Sequence, residues 1–138
     1  MTITKKMEVQ ILMSNLEFKI GKVDCKLSEE SPPRQYFIVT QEEDGFSYHA
    51  MKIGEECRYH QNIVQAIERD DAGVLGGGIV AYRDGKGELE LFSKSNQYGG
   101  LDKAFMENFR EKLFRTYKEF LPNLKNILID TSNKPGFF

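Results

Sequence analysis

Apolar and polar residues alternate in three runs near the start of the chain: Met7, Val9, Ile11 and Met13; Leu16, Phe18 and Ile20; Val23, Cys25 and Leu27. A period of two puts successive side chains on opposite faces of an extended backbone, so each run predicts a strand. The separators "SN" and "GK" are turn-like, and the three runs read as an N-terminal meander. "SEESPP" is a loop closed by Pro32 and Pro33. "RQYFIVT" at 34–40 and "FSYHAMKI" at 46–53 are strands joined by the turn "EEDG". The period then changes. Ile63, Val64 and Ile67 form one apolar helical face in "RYHQNIVQAIERDDAG", with Gly73 as its C-terminal stop.

Three consecutive glycines, Gly76 to Gly78, follow Leu75 and open the first arm of a hairpin, "IVAYR" and "ELELF" around Asp84-Gly85. "SKSNQYGG" is the loop after the second arm. The clearest helix lies at 101–121, where Phe105, Phe109, Leu113, Tyr117 and Phe120 recur at three- and four-residue steps. Asp102 suits its N-cap and Pro122 bars its continuation. "KNILID" is a last strand and "TSNKPGFF" a tail. Strands followed by a helix, twice, predict an α+β fold: a mixed sheet of about six strands flanked by two main helices. Residues 1–30 read as an N-terminal extension with extra strands, and residues 31–138 as one domain.

Composition narrows the function classes. With 40% hydrophobic and 29% charged residues the chain has material for a core and is not disorder-like. A net charge of −2 argues against nucleic acid or an anionic membrane as partner, so any anion site must be local. No apolar run reaches the ~18–20 residues of a membrane span. The two cysteines, Cys25 and Cys57, have no metal-ligand spacing, and the polar N-terminus lacks the pattern of a secretory leader. The expectation is a cytoplasmic protein with free thiols.

Two histidines titrate near neutrality. His49 lies inside an expected strand, where a hydrogen-bonded, partly buried ring is the ordinary reading. His60 lies where a loop becomes a helix. Unpaired N–H groups and the helix dipole favour negative charge there and disfavour imidazolium. A neutral imidazole beside an anion site can attack phosphorus or take a proton from water; the ordinary alternative is a polar residue at a helix start. The glycine run lacks the Lys-Ser/Thr pair of a Walker loop and is followed by a strand, which also rules out a dinucleotide fingerprint. Its ordinary reading is close backbone packing. In "KSNQYGG", Ser95, Asn96, Gln97 and Gly99 favour a turn whose amides converge on an anion, with Ser95 adding a hydroxyl and Lys94 a charge. The Phe105 to Phe120 stripe reads as core, and Cys57 as a small buried hydrophobe.

Taken together, "YHQNIVQAI", "LGGG" and "SNQYG" resemble the phosphohistidine phosphatase family, also called janus/ocnus. That family carries a Tyr-His pair opening a helix, then Leu-Gly-Gly-Gly, then Ser-x-x-Tyr-Gly. Residues 76–99 fit its spacing without a gap. The likeness extends more weakly over 34–138, with length changes around 42–52 and 68–74, and residues 1–30 have no counterpart. The resemblance implies that Tyr59-His60 is the motif whose histidine is catalytic, and that Ser95 with the amides around Asn96 and Gln97 is the phosphate cradle. It puts Arg34 where the family has a phosphate-contacting lysine, and Lys52 near a family arginine. One departure is visible: the family commonly has arginine directly after the glycines, and this chain has Ile79.

The function expected from the resemblance is hydrolysis of phosphohistidine or a related phosphoramidate, with His60 as nucleophile or general base and no metal or other cofactor. The partner would be a phosphorylated protein or a small phosphoramidate, and the protein a monomer. The alternative is a non-catalytic binder of phosphorylated protein or of a small phosphorylated ligand, which Ile79 favours.

Overall fold

The computed structural model describes residues 16–130. The expected strand at Met7 to Met13 and the "TSNKPGFF" tail lie outside these. Six strands form one sheet: β1 (Glu17–Val23), β2 (Arg34–Glu42), β3 (Gly45–Lys52), β4 (Val74–Arg83), β5 (Glu88–Phe92) and β6 (Asn126–Asp130), in the order β1-β3-β2-β4-β5-β6. The three inner pairings are antiparallel, while β1 and β6 add to the two edges in parallel. The fold is therefore mixed α+β, as the periodicity predicts. Among the described residues no helix is long and apolar enough to cross a membrane.

The N-terminal meander is corrected. The second run and the start of the third merge into β1, which skips its sequence neighbour β2 and pairs with β3. Cys25 and Leu27 lie in the loop that follows. That loop's backbone is held by a buried side chain instead of a strand ladder: Gln35 Nε2 donates to the carbonyls of Asp24 and Lys26, both at 2.9 Å. Tyr117 in turn donates to Gln35 Oε1 at 2.7 Å, and the Tyr48 and Tyr117 hydroxyls bond at 2.8 Å. A buried polar chain of this kind is stable because each member has a partner.

Alternation along β2 divides the core between the two faces of the sheet. Phe37 and Val39 join Tyr48, Ala50, Val80, Leu89 and Leu91 on one face. That face is covered by a helical segment made of α2 (Lys103–Met106), a 3-10 turn (Glu107–Phe109) and α3 (Arg110–Lys118). Met106, Phe109, Leu113 and Tyr117 of this segment are fully buried there, so the stripe is core. The tightening at 107–109 falls where Asn108 Nδ2 donates back to the carbonyls of Ala104 and Phe105, a side-chain bond that competes with the helical ladder.

On the other face Ile38 and Met51 pack with Cys57, Ile63 and Val64, under α1 (His60–Ala66). This helix ends well before Gly73. Glu68 takes φ 56°, Glu68 N–H bonds the Gln65 carbonyl, and Arg69 N–H bonds the Val64 carbonyl. These are the two bonds of a Schellman stop, made here with glutamate in the left-handed position that glycine usually holds. Gly73 instead ends a 3-10 turn, Asp71–Gly73, that feeds β4. The β4–β5 hairpin turns through Asp84–Lys86, and the glycine with positive φ (60°) is Gly87.

Candidate functional site

β4 runs through the middle of the sheet, and the three glycines are inside it rather than ahead of it. Two of them explain the run. A Cβ on Gly77 would stand 2.5 Å from the Phe37 carbonyl oxygen and 3.2 Å from His60 Cδ2. A Cβ on Gly78 would stand 1.9 Å from the Phe92 carbonyl oxygen and 2.9 Å from Lys94 N. Bare backbone thus lets the His60 ring settle on one side of β4 and lets the chain leaving β5 cross close by. The close approach read from the sequence is present at both the histidine and the start of the serine loop.

His60 sits at the first turn of α1. Asn62 Oδ1 accepts the N–H groups of Arg58 and Tyr59, each at 3.0 Å, which fixes the entry to the helix. The imidazole Nε2 lies 2.7 Å from the Gly78 carbonyl oxygen. A carbonyl can only accept, so Nε2 carries the proton and Nδ1 keeps its lone pair. The ring also packs on Tyr36, with centroids 4.5 Å apart. Burial pushes the His60 pKa down, and the bond to Gly78 opposes this only in part. The neutral ring expected from the sequence therefore has a different cause: loss of water, not the dipole of a seven-residue helix.

Opposite the histidine, the loop after β5 is folded on its own hydrogen bonds. Ser95 Oγ accepts Tyr98 N–H at 3.1 Å, and the Ser95 carbonyl accepts Gly99 N–H at 2.9 Å. The Ser95 oxygen thus acts as acceptor for the turn, and its O–H is the donor it can turn toward a ligand. Gly77 N–H bonds the Gly99 carbonyl at 3.0 Å, tying the loop to β4. Tyr98 donates to Asp71 Oδ1 at 2.7 Å and so ties the loop to the segment before β4; burial and, after it, this bond push the Tyr98 pKa up to about 12.

These elements enclose a cleft of about 260 Å³. Tyr59, His60, Ser95, Asn96 and Gln97 line it, together with Tyr36, Arg58, Ile79 and Lys94. No carboxylate is among them, and two cations are, so the local field favours an anion although the whole chain is slightly acidic. The floor is apolar at Ile79, which is only 3% exposed.

Arg34 and Lys52 are not in the lining. Arg34 lies on β2 on the same face as Tyr36, one pleat repeat away, and its guanidinium pairs with Glu30. Lys52 follows Met51 on β3, so alternation turns it away from the α1 face; it borders a separate depression with Asp24, Glu55 and Glu56. Its strand position corrects the placement that the resemblance implied. Outside the expected set, the lining adds Arg58 and, on β2, Tyr36. The signal for it was its parity with Ile38, which becomes informative only once β2 is known to face α1.

The remaining candidates have ordinary roles. His49 is buried: its Nδ1 accepts Lys22 N–H at 3.2 Å and its Nε2 meets Thr40 Oγ1 at 3.1 Å. Cys57 is fully buried, and its thiol is pushed up to about 12, chiefly by burial. Cys25 is exposed, and both thiols are free. Among the described residues no group of three His, Cys, Asp or Glu side chains is gathered as a metal site would require. Compared with protein-family models and with curated proteins, the chain matches none.

Proposed function

We propose that the cleft binds a phosphoryl group carried on nitrogen and hydrolyses the P–N bond, with phosphohistidine on a protein, or a small phosphoramidate, as substrate. The observation that carries this reading is a neutral imidazole of fixed tautomer in one small cationic cleft with a serine-turn donor. Arg58, Lys94 and the Ser95 hydroxyl would hold the phosphoryl oxygens, spreading their charge before and during transfer. The leaving nitrogen departs as a neutral amine or imidazole once protonated, so positioning and charge neutralisation meet most of the chemical demand. His60 Nδ1 either attacks phosphorus, with water later releasing phosphate from the ring, or takes a proton from the water that attacks. Both routes end in phosphate plus the freed amine. The test is phosphate release from phosphoramidate across a range of pH. Wild type should turn over, and His60→Ala should lose about 10²–10⁴-fold. No release by wild type at any pH would defeat the proposal.

A second reading has one observation in its favour. Ile79 leaves an apolar floor where the resemblance has a cation. A cleft of this kind suits a binder of phosphorylated ligands that does not turn them over. Phosphate would then raise the melting temperature, and His60→Ala would have no turnover to remove.

A further inference from the structure

Arg34 has a position that the cleft does not explain. Its Nε is buried and has no hydrogen-bond partner, while its other arm is tied to Glu30. The two partners differ in exposure: the arginine side chain is 20% exposed and the glutamate 44%. The arginine is packed in place, and the carboxylate reaches in from the loop before β2. Arg34 and Tyr36 share one face of β2, a separation of about 7 Å, within the reach of an arginine side chain. Tyr36 lines the cleft and touches His60; burial is the main cause that raises its hydroxyl's pKa, and among the smaller ones Arg34 lowers it and Glu30 raises it. The pair thus stands at the edge of the site.

Resting on the reading of the cleft as a phosphoryl site, we propose that Glu30 is an internal competitor for Arg34: it holds the guanidinium while the cleft is empty, and an entering phosphoryl dianion displaces it. The exchange is favourable in kind. A half-exposed ion pair is weak, and its carboxylate regains water on release. A dianion offers the planar guanidinium two charge-assisted bonds, including one for the orphaned Nε. Glu30 is then a positioning residue that sets affinity through Arg34, and Arg34 is a ligand-binding cation seen here in its withheld position.

Inorganic phosphate is the probe, with its Kd measured by calorimetry on the full chain. Glu30→Gln should tighten binding by roughly two- to fivefold. Glu29→Gln removes the same charge one residue away, beside the separate depression, and should leave Kd close to wild type because screening mutes an unpaired surface charge. Arg34→Gln should weaken binding, and in that background Glu30→Gln should bring no gain. Melting curves of each variant confirm that the compared proteins are folded. A Glu30→Gln protein that binds no better than wild type overturns the inference while leaving the cleft reading intact. A gain that survives in the Arg34→Gln background, or that Glu29→Gln reproduces, does the same. Wild type that takes up no phosphate removes the cleft reading and this inference together.

Discussion

Adding one methyl group at Gly77 perturbs the backbone and the candidate site through the same contact. The new Cβ would lie 2.5 Å from the Phe37 carbonyl oxygen, 3.2 Å from His60 Cδ2 and 3.3 Å from Ile38 Cγ2. Carbon meets a carbonyl oxygen comfortably at about 3.3–3.6 Å, so the β2–β4 pair must open by about 0.8 Å. That pair is the centre of the sheet, with Ile38 opposite Gly77 and β3 and β5 paired outside it, so it has little freedom to slide. Overpacking of this kind costs about 1–3 kcal/mol. Removing a glycine from a strand offsets about 0.5–1 kcal/mol. The expected net loss for Gly77→Ala is therefore about 0–2.5 kcal/mol in urea unfolding, centred slightly above about 1 kcal/mol, by difference of those two ranges.

The functional effect should exceed the stability effect. The His60 ring is confined between Tyr36 and β4, and a displacement of about 1 Å at a reacting group costs on the order of 10²-fold in rate. The nitrogen-15 shifts of His60 report its tautomer and its bond to Gly78 without reference to turnover. Gly85→Ala is the control. No atom lies within 4 Å of its Cβ, so it should be neutral or more stable by about 0.4–1 kcal/mol. If Gly77→Ala proves as stable as Gly85→Ala, with unshifted His60 resonances, the close-approach argument is wrong.

Other outcomes follow from single contacts. His49 and His60 are both held neutral by burial, their folded pKa values lying below the unfolded imidazole value of about 6.5. The unfolded chain then binds more protons in that window, so stability is full above it and declines as pH falls below about 6.5; a melting temperature flat from pH 7 to 5 would refute this. The proposed role needs a neutral His60, so the acid limb of kcat/KM, corrected for uncatalysed hydrolysis, should lie below the ordinary imidazole pKa. A limb above it would remove the proposed role. Tyr117→Phe leaves Gln35 Oε1 and the Tyr48 hydroxyl without their buried partner and should cost about 1–3 kcal/mol. Tyr48→Phe, at the end of the chain, should cost less, and equal losses in chemical denaturation would refute the order. Glu68→Gly relieves a left-handed glutamate at the end of α1 and should stabilise by roughly 1 kcal/mol, with calorimetric melting as the check.

What the sequence made legible was local. Apolar, β-branched runs and the turns between them marked β2, β3, β4 and β5, and the aromatic stripe marked the helical segment that covers one face, because turn chemistry and helical spacing act within one element or between neighbours in the chain. Pairing between distant elements is not encoded that way. Nothing in the alternation of Leu16 to Val23 says that β1 will skip β2 and join β3 in parallel; that choice depends on Gly21 leaving room for the His49 ring, whose Nδ1 then takes Lys22 N–H. The cleft shows the same limit. His60 and Ser95 stood out because turn and helix-start chemistry is local, whereas Tyr36 enters through its register with Ile79 on β4. Lys52 was misplaced for the complementary reason: one step along β3 from Met51 reverses the face, and position in the chain alone does not say which face the site occupies. The glycines tie these cases together. They contribute no side chain to any pattern, yet by withholding one they allow β4 to touch both the histidine and the serine loop, so a site of this kind is built by contacts that periodicity cannot report.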